Sequence, residues 1–128
     1  MLFPKELLYH KTDEWVRVEG DTAIAGISDY AQSALSDVVY VELAVEVGDT
    51  VTQGDTLATL ESVKAAADVN NPVSGTVIEI NETLSDAPEI LNSDPYGAGW
   101  IAKIKLAPIS GIDNLLDAES YEKFCQER

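Results

Sequence analysis

The chain has 128 residues, 45% of them apolar, enough for one domain with its own hydrophobic core and no need of disulfides or structural metal. Eight Lys and Arg face 23 Asp and Glu, a formal net charge of −15 at pH 7. Phosphate contacts need clustered cations, so this balance excludes a nucleic-acid role and favours basic partner surfaces.

Trp15–Glu19 alternates in period two and Thr22–Ile27 follows it across Gly20-Asp21, which predicts a β-hairpin. Asp29–Leu35 has few β-branched residues and predicts a short helix capped by Ser28 or Asp29. Val38–Leu43 is a strand by its β-branched and aromatic content. Gly48-Asp49 and Gly54-Asp55 mark successive turns. Two short strands then flank Lys64, followed by a corner at Asn70-Asn71-Pro72 and Ser74-Gly75 and a strand over Thr76–Ile80. Gly54-Asp55-Thr56-Leu57 and Gly75-Thr76-Val77 hint at two similar halves meeting at Lys64. Ala87–Asn92 predicts a short helix with Asp86 as N-cap and Pro88 in its first turn. Trp100–Leu106 alternates as a strand, and Asp117 caps a last helix over about 117–125, with Ala118, Tyr121 and Phe124 or Cys125 as its apolar stripe. The sum is mostly β with a few short helices, a twisted sandwich or partly closed barrel.

The side chains that could do chemistry are few. His10 is the only histidine, in a loop context that reads as surface. Cys125, beside Phe124, reads as a packed thiol; one cysteine gives no disulfide framework or Cys-pair motif and suits reducing surroundings. The carboxylates lack metalloprotease or EF-hand spacing, and Gly97-Ala98-Gly99 does not run from a strand into a long helix as a phosphate loop does. No metal site is expected, and no self-contained enzyme. No apolar run reaches membrane-spanning length, and Met1–Glu6 lacks the basic-then-apolar pattern of a secretion signal, so a cytoplasmic chain is expected, or a matrix one if it is a mature mitochondrial form.

Lys64 is different. It is the only basic residue between Arg17 and Lys103, its neighbours Val63 and Ala65 are apolar, and it falls in a turn rather than in a strand. Val63-Lys64 is a poor pair for a primed two-residue turn, because positive φ suits neither, so a type I turn or wider loop is expected. An amine on a flexible stem at such a turn is open to another protein's active site.

The run Glu61-Ser62-Val63-Lys64-Ala65 resembles the lipoylation site of the glycine cleavage system H proteins. The likeness extends from Tyr9 to Phe124 through Glu14-Trp15-Val16, Gly26–Gln32, Val38–Leu43, Pro72–Gly75, Leu91–Gly97 and Gly99-Trp100, all in order. It implies one lipoyl-carrier domain over 1–128, with a barrel-sandwich hybrid fold, short peripheral helices and a C-terminal helix. It also implies lipoate amide-linked to Lys64. The chain would then be a non-catalytic shuttle. Glycine decarboxylase (P-protein) would load it with an aminomethyl group, aminomethyltransferase (T-protein) would pass that group to tetrahydrofolate, and dihydrolipoamide dehydrogenase (L-protein) would reoxidise the arm. A lipoate ligase or a lipoyl/octanoyl transferase would attach the cofactor. The resemblance further suggests that Glu14 and Asp68 line a cleft sheltering the loaded arm. Ser36 departs from the usual glycine, Ala44-Val45 from the usual proline, and Ala34 from a bulkier or polar residue in some members. The alternatives are a 2-oxoacid dehydrogenase lipoyl domain or biotin carrier, an H-like lipoyl or octanoyl relay in lipoate metabolism, and an acidic interaction domain without cofactor. Biotin carriers place methionines beside the lysine, whereas the one methionine here is Met1.

Overall fold

A computed structural model describes all residues, Met1–Arg128. Its first hairpin joins β2 (Glu14–Glu19) to β3 (Thr22–Ile27), with Glu19 paired to Thr22 and Gly20 at φ +63° in the turn, where a side chain would be strained. β1 (Leu8–Tyr9) pairs with β2. α1 (Asp29–Leu35) begins at Ser28, whose hydroxyl accepts from the Ala31 N–H at 3.1 Å. β4 (Val38–Leu43), β6 (Thr56–Ser62) and β7 (Ala66–Asn70) form a three-stranded sheet in the order β4-β6-β7. β5 (Thr50–Val51), β8 (Gly75–Ile80) and β9 (Ala102–Leu106) complete a six-stranded sheet in the order β1-β2-β3-β9-β8-β5. All pairings between these strands are antiparallel.

The two sheets close over one apolar cluster. Val16, Ala25, Ile27, Val77 and Ile104 enter from the larger sheet and Val41, Leu57, Leu60 and Val69 from the smaller, all buried. The alternation of β2 serves two cores at once: Val16 joins this cluster, while Trp15 points the other way. There α4 (Ala118–Gln126) packs Ala118, Tyr121 and Cys125 against Leu7, Tyr9 and Trp15, with the Tyr9 and Tyr121 rings stacked at 4.5 Å. Asp117 caps α4 by accepting from the Ser120 N–H at 2.8 Å. The predicted stripe and packed thiol are therefore realised, with Phe124 only partly buried.

Three expectations need correction. The helix expected over Ala87–Asn92 is a shorter, later turn, α3 (Ile90–Ser93), and an unexpected turn, α2 (Thr83–Asp86), precedes it. Pro88 has no N–H to give a continuing helix and forces its predecessor out of the helical region; Ala87 sits at φ −137°, ψ 65°. Asp86 consequently ends a helix rather than capping one. The last strand starts at Ala102, not Trp100, although the Ile101 N–H still reaches Ala25 O at 2.7 Å. The repeat is also placed differently. Gly54 has φ +99° while Gly75 lies inside a strand, so the two are not equivalent. The true likeness joins 46–49 to 52–55. In each, an Asp carboxylate accepts from the N–H three residues earlier at 2.8 Å and a glycine takes φ +99°. Gly48 and Asp49 bracket Val77 through backbone bonds as Gly54 and Asp55 bracket Asn71.

Candidate functional site

The β6-β7 hairpin presents Lys64. Glu61 pairs with Ala66, and the Ser62 N–H donates to Ala65 O at 2.8 Å, which closes a four-residue loop. Neither Val63 nor Lys64 takes positive φ, so the primed two-residue turn that their chemistry disfavours is not the one formed. One hydroxyl fastens it. Ser62 Oγ accepts from the N–H groups of Lys64 (3.2 Å) and Ala65 (3.1 Å) and donates to Ala65 O (3.1 Å). The Val63 N–H donates to Asp37 O at 3.0 Å, which ties the loop to the segment between α1 and β4. Lys64 and its neighbours Val63, Ala65 and Ala66 are exposed, and Lys64 makes no ion pair. The backbone is fixed while the amine is free. This combination fits a covalent amide to a carboxylic-acid cofactor, since an attaching enzyme needs an accessible amine.

A cleft of about 180 Å³ brings together residues far apart in sequence, Glu14 and Asp68 among them. Its other walls are largely apolar: Ile27, α1 with Ala34 and Leu35, and Leu60 of β6. Glu14 is 2% exposed. Its carboxyl is hydrogen-bonded to the Thr12 hydroxyl and accepts from the Asn70 N–H at 3.1 Å, a bond from β2 to the end of the lysine hairpin. Burial pushes the Glu14 carboxyl up to about 8, against the opposing pull of those two hydrogen bonds. Asp68 is exposed on β7 and accepts from the Thr59 hydroxyl at 3.2 Å. The two suggested acids therefore share a cleft but differ in kind, one buried and one solvated. Trp15, next to Glu14, is locked by its Nε1–H to Pro95 O at 3.0 Å and lies flat on Gly26, where an added Cβ would sit 2.8 Å from the indole.

His10, expected at the surface, is half-buried, and burial lowers its pKa. Thr12 was not visible as a functional residue. It sits in the tight turn between β1 and β2, where the Asp13 N–H donates to His10 O at 2.9 Å and Asp13 takes φ +83°, and this turn, not strand alternation, brings Thr12 between His10 and Glu14.

A mostly β frame of two antiparallel sheets, with an exposed lysine at the tip of one hairpin, is the architecture of the lipoyl-domain class. The family model for the glycine cleavage H-protein matches residues 7–128. The glycine cleavage system H protein of Idiomarina loihiensis is 54% identical, over 97% of this chain and 96% of its own length. One from Thermus thermophilus is 51% identical, over 96% and 95%. Mitochondrial H protein 2 of Arabidopsis thaliana is 48% identical, over 96% of this chain and 78% of its length. The crystal structure of a glycine cleavage system H protein from Mycobacterium marinum superposes with a TM-score of 0.84 at 34% identity, covering 94% of this chain and 96% of that one. The chain belongs to the glycine cleavage H-protein family, the lipoyl carriers of the glycine cleavage system, and is not one of that system's enzymes. No helix is long and apolar enough to cross a membrane.

Proposed function

We propose that Lys64 is the lipoate attachment point of this carrier and that Glu14 and Asp68 shelter the loaded arm. The observation that carries the reading is a free, exposed amine on a loop fixed by the Ser62 hydroxyl. Residues 1–128 act as one carrier unit. Lipoate held there would supply a dithiolane as electron acceptor and as carrier of the aminomethyl group that remains when glycine loses CO2. The chain's own part is physical. The hairpin holds the tether's root still while Lys64 contributes a flexible stem, so successive partner sites are met at high local concentration. Ser62 positions Lys64 for the attaching enzyme, a lipoate ligase or lipoyl/octanoyl transferase, with Glu61, Val63 and Ala65 as the rest of the recognised turn. Glycine decarboxylase, aminomethyltransferase and dihydrolipoamide dehydrogenase are the partners this route requires. The net charge of −15 steers the chain toward basic faces on them.

The cleft provides a weakly polar recess with one buried and one solvated acid. A cationic amine entering it draws Glu14 toward its carboxylate and is held by charge-assisted hydrogen bonds. Reconstitution with the purified P, T and L proteins tests the assignment: Lys64→Arg keeps charge and fold but supports no glycine-dependent turnover. Glu14→Ala still accepts lipoate, but the loaded protein decays faster. Full turnover by Lys64→Arg would refute the attachment point, and unchanged decay after replacing Glu14 and Asp68 together would refute the shelter.

A further inference from the structure

The Glu14 carboxyl is one end of a hydrogen-bonded chain. Thr12 Oγ1 bonds Glu14 Oε1 and lies 2.8 Å from His10 Nδ1, and the Thr12 backbone N–H donates to the same Nδ1 at 3.2 Å. A hydroxyl has one proton to give, and a ring nitrogen accepting from an amide presents a lone pair. With Glu14 ionised, the Thr12 hydroxyl would face two acceptors and could satisfy only one. All three contacts become hydrogen bonds when Glu14 carries the proton: its O–H donates to Thr12 Oγ1, and the Thr12 O–H donates to His10 Nδ1. Burial, which raises Glu14 and lowers His10, favours these same two neutral forms.

The geometry points to a proton wire, Glu14–Thr12–His10, through which the buried carboxyl exchanges its proton. In the transfer, the Glu14 O–H breaks as its proton passes to Thr12 Oγ1, and the Thr12 O–H breaks as that proton passes to Nδ1. One O–H on Thr12 and one N–H on His10 form, and nothing is oxidised or reduced. The products are a Glu14 carboxylate accepting from Thr12 and an imidazolium on half-buried His10, which releases its proton to water. Asp13 favours the imidazolium and Lys11 opposes it; Asp13 also opposes ionisation of Glu14. Across the cleft, β7 presents Asp68, while Ala31, Ala34 and Leu35 of α1 present no charge. Use of the wire when a cationic amine arrives rests on the carrier reading; its existence is tested without lipoate.

The experiment is an NMR titration of the unmodified, isotope-labelled chain, following the Glu14 carboxyl carbon and both His10 ring nitrogens. At pH 7 His10 should be the Nε2–H tautomer. Its Nδ1 shift should show a step at the Glu14 midpoint, near 8, in addition to its own titration. The step should survive in Thr12→Ser and vanish in Thr12→Val and Glu14→Gln. Proton exchange at Glu14, read from line broadening, should slow on the order of tenfold in Thr12→Val. A step that persists in Thr12→Val would show coupling through space alone, and an Nδ1–H tautomer at pH 7, no step, or unchanged exchange would equally overturn the wire. Thr12→Ser separates loss of the hydroxyl from loss of the turn. Because no cofactor is involved, a wrong attachment site leaves this result intact, and a failed wire leaves the attachment intact.

Discussion

Lys64 and Glu14 occupy opposite surroundings, and each is held differently. The Lys64 loop is fixed by Ser62 across three residues and by one bond to Asp37. Glu14 is buried by both sheets and α1, and held by an amide 56 positions away. Reach is therefore a local property of the chain, while shielding is a property of the assembled fold. Changes near Ser62 should loosen the post and leave the cleft alone; changes behind Glu14 should do the reverse.

The largest expected effect tests the cleft side through pH. The folded Glu14 midpoint, about 8, lies above its ordinary 4.5. Between those values the unfolded chain has lost a proton that the folded chain keeps, so stability falls as pH rises through the window and the loss is complete above about 8. At about 1.4 kcal/mol per pKa unit the total is on the order of 5 kcal/mol, of which about 4 kcal/mol is lost between pH 5 and pH 9. Denaturant melts at pH 5 and pH 9 should show the wild type losing about 4 kcal/mol more than Glu14→Gln. Equal losses would mean that Glu14 is solvated.

This contrast also explains what the sequence discloses. The Gly20 hairpin, the Ser28 and Asp117 caps and the Lys64 turn rest on contacts within a few residues, so residue types alone announce them. α2 escaped because Thr83–Asp86 carries no capping side chain to mark its start, and α3 starts later than expected because Pro88 keeps Ala87 out of the helical region. Burial of Glu14 depends on where Asn70 and α1 arrive after folding, which periodicity does not encode. The resemblance pointed to Glu14 and Asp68 together, but only the structure separates the buried acid from the solvated one. The true repeat, 46–49 with 52–55, is written in two Gly-Asp-Thr runs, Gly48-Asp49-Thr50 and Gly54-Asp55-Thr56.

Gly26→Ala is the next test by size. The new Cβ meets the Trp15 indole at 2.8 Å, and the indole is held by Pro95. A destabilisation of about 2 kcal/mol is expected, together with a displaced Glu14 midpoint and undiminished modification of Lys64. A chain that melts like the wild type would show that the indole has room to shift. Ser62→Ala acts on the other region. It should cost about 1 kcal/mol and speed hydrogen exchange at Lys64 and Ala65 without moving the Glu14 titration. Protected amides at both positions would remove Ser62 as the fastener.

The smallest effect has the opposite sign. Ser36 sits at φ 62°, ψ −152°, a region suited to glycine, and leads into Asp37, which holds the loop at Val63. Ser36→Gly should raise stability by about 1 kcal/mol, as relief of strain exceeds the added freedom of the unfolded chain. A lower melting temperature would mean that the serine is not strained.

The most direct measurement is intact mass followed by peptide mapping, after co-expression with a lipoate ligase. A single lipoyl increment should appear on the peptide bearing Lys64, in the wild type and in Glu14→Gln alike, and be absent from Lys64→Arg. An increment on any other lysine, a biotinyl increment, or a loaded Lys64→Arg chain would contradict the assignment of the exposed turn as the root of the arm.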